Sequence, residues 1–404
     1  MPNAKFCVMN SVNLPSSGSY IVELPTDLIL EIFFKLSTRD LLCSMGVCKS
    51  WYNLIANPDF TNNYTRNSHF TTIVLSKRSY NFKNFFLLEI APSGEFIQTP
   101  IKSKVPTQAK TDSMISVIGL LDGLLFLLLR RLHDHCDLNK VKEEVYIINP
   151  LFRGCFKLED CRIVDKGSCL TQYKLGFVPS TNKFKLLRIV FQDDRRFQEA
   201  NIFSVGEDVK WRKLEEPLSL LSKDTQGSYF NGAYHYFVKD DNDVHIHTFD
   251  FGKEKGGQIS KRPGLLRKYW KRRLTSLDNR LCLVEFPINF DEMIIWAMEE
   301  YGVSLSWSRK ILLQSWFPSN IDFAELIPLE LLGNGDFLLL DWLRSKLVRF
   351  NRETKKFSEI KVSDRNFQSF PREITSYATV YAPRFYSIRR DIARGLYGVL
   401  EMSD

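Results

Sequence analysis

The sequence predicts a mainly-β protein with a small α-helical domain at its N-terminus, the β part forming an irregular propeller. Three observations carry this. Residues 24–57 hold three apolar patterns with helical spacing. From about Phe70 the pattern changes to strand, turn, strand. The later of these units recur roughly every 45–50 residues, the period of a propeller blade, although earlier units lie closer together. A β-sandwich or barrel is the alternative.

Taken in order, residues 1–20 are polar and Ser-rich and read as a disordered lead-in. "LPTDLILEIFFKL" begins the first helix, with Pro25 at an N1-like position and acids in the first turns. Leu28, Ile32, Phe33 and Leu36 mark one face, while Ile29, Leu30 and Phe34 cover much of the rest. A helix apolar nearly all round must be covered on more than one side. Ser37 or Thr38 then caps a second short helix carrying Leu41 and Leu42. In "VCKSWYNLI", Val47, Trp51, Leu54 and Ile55 form the stripe of a third helix, stopped by Asn57-Pro58. A unit of about 35 residues is too small to hold itself without disulfides, a metal or a partner. It either docks on the rest of the chain or is completed by another protein. A helical cap that needs no partner is the bland alternative.

The β units follow. "MISVIGLLDGLLFLLL" is too short for a bilayer span and is broken by Asp122-Gly123, so it reads as two buried strands joined at a turn. "YIINPLFRGCFKL", "YKLGFVPSTNKFKLLRI", "NIFSVGEDVKWRKL", "HIHTFDFGKEKGGQI", "IIWAMEEYGVSLSWSRK" and "KLVRFNRETKKFSEI" repeat the strand–turn–strand design. Two regions interrupt it: a charged loop at 130–144 and a basic loop at 261–273.

The totals set limits. The 404 residues are 44% hydrophobic and 25% charged, enough for a substantial core, and 31 Phe favour strands. A net charge of +8 permits an acidic partner or nucleic acid and demands neither. The eight Cys are irregularly spaced without a C-x-x-C pair, which fits reduced thiols. No secretory pattern is visible, so an intracellular, cytoplasmic or nuclear protein is expected, with no membrane contact.

Catalysis finds no foothold. Glycine phosphate loops, a G-x-S-x-G elbow and an H-E-x-x-H helix are all missing from the sequence. The chain is therefore expected to be no enzyme and to need no cofactor. His133, His135 and Cys136 lack the second half of a zinc site, and His245 and His247 on one strand face more often bond within the fold. In 261–273, seven of thirteen residues are Lys or Arg, with Tyr269 and Trp270 among them. Such a stretch fits a solvated connection first, an acidic protein surface second and a nucleic-acid backbone last.

At this point the chain resembles a known family. "ELPTDLILEIFFKLSTRDLLCSMGVCKSWYNLIANPDF" is similar to an F-box, through Leu24-Pro25, Leu28/Ile29/Ile32/Leu36, Leu41-Leu42 and Val47-Cys48-Lys49-Ser50-Trp51 with Leu54-Ile55. Ser37 stands where plant members often have Pro, and Cys43-Ser44-Met45 replace a commonly basic-aromatic stretch. The remainder, through "SVIGLLDGLLFLL", "NGAYHYF", "WAMEEYGVSLSW" and "ATVYAPRF" among others, resembles the F-box-associated (FBA), kelch-like interaction domain of plant F-box proteins. Residues 21–65 are then an F-box of three helices, 70–390 a propeller-like target-binding domain and 391–404 a C-terminal tail.

What the resemblance implies is a substrate-recognition subunit of an SCF-type E3 ubiquitin ligase, acting toward proteasomal degradation. Leu24, Pro25, Leu28, Ile29, Ile32, Leu36, Leu41, Leu42, Val47, Cys48, Trp51, Leu54 and Ile55 would serve binding of a Skp-type adaptor, and through it cullin and RING subunits. An unidentified target protein would sit on the β domain, with Lys268, Trp270 and Arg272 as weak candidates for its contact. The alternatives are a protein-interaction module outside a ligase, or a nucleic-acid-binding β protein using 261–273.

Overall fold

The computed structural model describes residues 24–67, 71–76, 85–91, 96–100, 113–134, 137–152, 155–158, 162–165, 169–192, 197–208, 210–215, 227–239, 244–259, 271–287, 292–313, 317, 325–332, 334–341, 346–360, 377–385 and 401–402. The expected lead-in 1–20 and residues 261–270 of the basic loop lie outside them.

Among the described residues the strands fall into six sheets, five of four strands and one of six. Blade 1 is Thr71–Ser76, Phe85–Ile90 and Phe96–Pro100, completed by Tyr377–Val380 from the far end of the chain. Blade 2, the six-stranded sheet, is Ser113–Leu121, Leu124–Asp134, Asp137–Ile148 and Cys155–Lys157, with Arg162–Asp165 added on Asp137–Ile148 and Glu401–Met402 on Cys155–Lys157. Blade 3 runs Cys169–Val178, Lys183–Gln192, Phe197–Ser204 and Arg212–Lys213, and blade 4 runs Gly227–Phe230, Ala233–Lys239, Val244–Asp250 and Lys255–Ile259. Blade 5 is Lys271–Leu277, Arg280–Phe286, Glu292–Met298 and Trp307–Leu313, and blade 6 is Leu326–Leu331, Phe337–Asp341, Lys346–Asn351 and Lys356–Ile360. Each blade is an antiparallel meander, and apolar layers lie between every consecutive pair, including blades 6 and 1. This is a closed propeller ring.

The greasiest run is explained by that geometry. Leu124, Phe126 and Leu128 face blade 3, while Leu125, Leu127 and Leu129 face blade 1. A strand buried on both sides loses its alternation and reads as a continuous apolar run. Leu338 and Leu340 against Phe337 and Leu339 repeat the pattern in blade 6. The first turns of three blades, Asp122-Gly123, Asn231-Gly232 and Asp278-Asn279, hold positive φ at both central residues, the conformation of tight hairpin turns.

Four readings need correction. The charged stretch 130–144 is no loop, because Leu124–Asp134 and Asp137–Ile148 extend the blade 2 hairpin through most of it. Residues 271–273 of the basic loop begin the first strand of blade 5. Within the expected tail, Glu401–Met402 pair with Cys155–Lys157 at the edge of blade 2. The helical unit has four helices: α1 Thr26–Phe34, α2 Thr38–Ser44, α3 Lys49–Ile55 and α4 Pro58–Asn67. Asn57-Pro58 stops α3 and also starts α4, since the Asn57 side chain accepts the Asp59 N–H at 3.0 Å and Pro58 fills the first helical position.

The unit docks on the propeller. After the closing strand 377–380, residues 381–385 run as a strap across the turns of blade 2. Tyr381 is buried between blades 1 and 2, and its hydroxyl donates to Asn149 Oδ1 at 3.4 Å. Asn149 Nδ2 donates to the Arg384 carbonyl at 2.9 Å, and the buried Arg384 guanidinium lies 3.0 Å from Asp122. Gly123 is required here twice, for its positive φ and because a Cβ would lie 2.6 Å from the Arg384 Cβ. The strap ends by placing Phe385, fully buried, between Phe60 at 5.8 Å and Tyr64 at 5.2 Å. Tyr64 in turn donates to the Leu36 carbonyl at 2.7 Å, closing the end of α1. A second tie is Glu89 of blade 1, which accepts the Thr38 N–H at 2.5 Å at the start of α2. Burial raises its carboxyl pKa, against the pull of those backbone N–H groups.

Replacing Phe385 by Ala should cost about 3–5 kcal/mol locally, the usual penalty for emptying a buried aromatic site. Amide exchange should accelerate across 26–64 and stay near wild type in blades 4 and 5; unchanged helical exchange would contradict the interlock. A pH effect is expected at His235, fully buried in blade 4, whose pKa burial lowers to about 4. The unfolded chain then takes up this proton first, so stability falls as pH drops from about 6.5 toward 4, by up to about 1.4 kcal/mol per unit. Urea melts should show wild type losing stability relative to His235→Gln over that window, and a pH-independent gap would refute it.

Candidate protein-docking surface

Helix α1 is two-faced. Ile29 and Phe33, one turn apart, point into the helical core with Leu41, Ile55, Phe60, Tyr64 and Phe385. Leu28 and Ile32, also one turn apart, are left 45% and 47% exposed, and Val47 before α3 is 64% exposed. Tyr52 and Pro25 are exposed as well. Half-buried Leu24, Leu36, Leu42, Trp51 and Leu54 pack on the core and lie between the two sets. Trp51 meets the Phe33 ring edge-on at 5.1 Å, so it supports the core from the outer side.

The residue set expected at an adaptor therefore divides. Ile29, Leu41 and Ile55, all expected at the adaptor, are buried in the unit's own core, Leu41 and Ile55 completely. Leu28, Ile32, Val47 and Pro25 form the free part, rimmed by exposed Asp27, Glu31, Lys35 and Lys49. An apolar centre with a charged rim is the usual anatomy of a docking patch.

Local sequence explains the shape. Ser37 is the cap of α2: its hydroxyl accepts the Asp40 N–H at 3.1 Å and donates to the Asp40 carboxylate at 2.7 Å. This pairing of residues three apart satisfies the start of α2. Cys48, half-buried, caps α3 by accepting the Trp51 N–H on Sγ at 3.5 Å. Phe60, Tyr64, Phe385 and Glu89 complete the unit beyond the residues that the sequence pattern marks. The i,i+4 spacing of Phe60 and Tyr64 after Asn57-Pro58 is a readable signal for α4, whereas Phe385 and Glu89 join the unit only through the fold.

The basic cluster is partly spent inside the propeller. Arg272 is not a surface residue: its side chain is 6% exposed and its Nε pairs with buried Glu285 at 3.0 Å, which also accepts the Trp296 indole N–H at 3.0 Å. Lys271 and Arg273 both pair with Glu325. Lys268 and Trp270 lie outside the described residues. The His245 and His247 rings are 6.4 Å apart, and the Gln258 amide donates to His245 Nδ1 at 2.9 Å. His133 falls in the blade 2 strand, while His135 and Cys136 lie outside the described residues. Among the described residues no three His, Cys, Asp or Glu are grouped to hold a metal, and no helix is long and apolar enough to cross a membrane.

Comparison with known proteins agrees with this architecture. Residues 21–63 match the F-box domain, and residues 72–382 match the F-box associated beta propeller domain. The chain is 23% identical over 386 residues to F-box protein At3g07870 of Arabidopsis thaliana, covering 85% of this chain and 88% of that protein. It is 23% identical to F-box protein CPR1 of the same plant, covering 84% and 85%, and 26% identical to F-box/kelch-repeat protein At4g19930, covering 78% and 76%. With the helical unit and the propeller each matched in place, the chain belongs to the family of F-box proteins that carry an F-box-associated β-propeller domain.

Proposed function

We propose that this protein is the substrate receptor of an SCF-type E3 ubiquitin ligase. The outer face of the F-box takes a Skp-type adaptor, which brings the cullin and RING subunits. The propeller takes a target protein. The observation that carries this is the split of α1, with Ile29 and Phe33 satisfied by the chain's own core and Leu28 and Ile32 left exposed, as is Val47. The chain contributes no catalytic residue. It works by proximity, raising the effective concentration of target lysines near the ubiquitin-charged enzyme. The reading places the protein in the cytoplasm or nucleus.

The energetic contribution of the patch is considerable. Covering a large apolar side chain contributes about 1.5–3 kcal/mol before association costs. A central aromatic is a natural hot spot, but Trp51 also supports Phe33, so its removal mixes folding with binding. Leu28 and Ile32 separate the two. A purified plant Skp-type adaptor titrated against the full-length chain should bind the Leu28→Ala/Ile32→Ala double variant at least tenfold more weakly, with melting unchanged. Equal affinity for both chains would refute the adaptor assignment. The nucleic-acid reading loses ground, since Lys271, Arg272 and Arg273 are committed to carboxylates.

A further inference from the structure

The helical unit precedes the propeller in the chain, yet it is completed after it. Its four helices end at Asn67, and the aromatic side chain that fills its core, Phe385, comes after the last strand of blade 6. Resting on the receptor reading above for the adaptor's part, we infer that closure of the propeller ring sets the F-box in its docking form, so that a Skp-type adaptor selects chains whose closing strand 377–380 and strap 381–385 are in place.

Blade 1 is the seat of the helical unit. It takes three strands from residues 71–100 and is finished only when Tyr377–Val380 pairs with Thr71–Ser76. Both ties to the helices depend on it. The strap leaves it directly after Val380. Glu89, which accepts the Thr38 N–H, lies in its Phe85–Ile90 strand, between Thr72 and Ile97 of the neighbouring strands. The residues around Glu89 point into layers on both sides, Leu88 and Ile90 toward blade 6 and Leu87 toward blade 2. Leu151 packs against both the blade 1–2 layer and the helical core. An open ring therefore loses the strap and loosens the layers that hold Glu89 in register.

From Phe385 the packing runs outward to the docking face. Its N–H donates to Thr61 Oγ1 at 3.4 Å, which fixes the strap to α4. Phe60, against the Phe385 ring, meets Phe33 edge-on at 6.2 Å and stacks on Phe34 at 5.4 Å. Phe33 directly follows Ile32, so one turn of α1 carries the inner contact and the outer one. A helix of nine residues does not hold itself in water. With the Phe385 site empty, an adaptor has to order the helices as it binds. Its apparent affinity then falls with the fraction of chains in which they are already formed. A closed ring removes that cost before the adaptor arrives.

The test titrates a purified plant Skp-type adaptor against four full-length chains: wild type, Phe385→Ala, Ala378→Pro/Thr379→Pro and Phe350→Ala. Successive N–H groups of a strand point to opposite sides, so the proline pair removes one that holds 377–380 to Thr71–Ser76 and opens the ring without touching the F-box. Phe350 is fully buried between blades 5 and 6 and stacks on Phe317 at 5.0 Å, so its loss weakens the propeller away from the closure. Amide exchange of 26–64 and of blades 4 and 5 is followed in each chain. Binding should be about tenfold or more weaker for Phe385→Ala and for the proline pair, with faster exchange in 26–64 and near wild-type exchange in blades 4 and 5. Phe350→Ala should melt earlier and still bind within about twofold of wild type. Wild-type affinity in Phe385→Ala or in the proline pair would overturn the inference. So would an equal loss in Phe350→Ala, which would tie affinity to overall stability instead. If wild type ignores the adaptor, the receptor reading falls, and helical exchange in the proline pair decides the link alone: faster exchange upholds it and unchanged exchange overturns it.

Discussion

The Phe385 ring, enclosed by Phe60 and Tyr64, is where a helical unit too small to hold itself meets a sheet ring that needs closing. The two requirements are met by one stretch of chain. Tyr377–Val380 completes blade 1, and the next five residues carry Tyr381 into the blade 1–2 layer, Arg384 onto Asp122 and Phe385 into the F-box. One of the ties that orient the F-box relative to the propeller therefore passes through the propeller's own closure. Glu89 adds a second fixing point at the start of α2.

This constraint explains why α1 is apolar nearly all round. One face belongs to the intramolecular core and is complete once Phe385 arrives. The other remains exposed, with charged residues around it, and is the face that the proposed adaptor would cover. A receptor that works by proximity benefits from such an arrangement. In the proposed receptor, a target held on the ring would be presented at a distance from the adaptor that the strap and Glu89 fix, and an untied linker would blur that distance.

Much of this was legible in the sequence, and the limits have physical causes. Period and turn chemistry marked the hairpins, because Asp122-Gly123 and the Pro179–Asn182 turn need residue types that few other contexts favour. The three apolar stripes marked the first three helices. Helix α4 was hidden because Asn57-Pro58 carries a stop and a start at once. The 130–144 hairpin was hidden because Arg130 and Glu143 pair with each other, and charges satisfied in pairs look like a loop when read singly. The same holds for Arg272 and Glu285. Which apolar residues face inward could not be read at all. Ile29 and Leu28 are equally greasy, and which of them is covered depends on how Leu41, Ile55, Phe60, Tyr64 and the distant Phe385 come together.

The most direct measurement of the central claim is hydrogen exchange of the full-length chain, with and without a saturating Skp-type adaptor, resolved by segment. The account predicts new protection in α1 and across 47–55, where the uncovered face lies. It predicts little change at α4 and 381–385, whose burial is already complete without a partner. Protection confined to the propeller, or a helical unit that becomes protected throughout only when the adaptor is added, would contradict it.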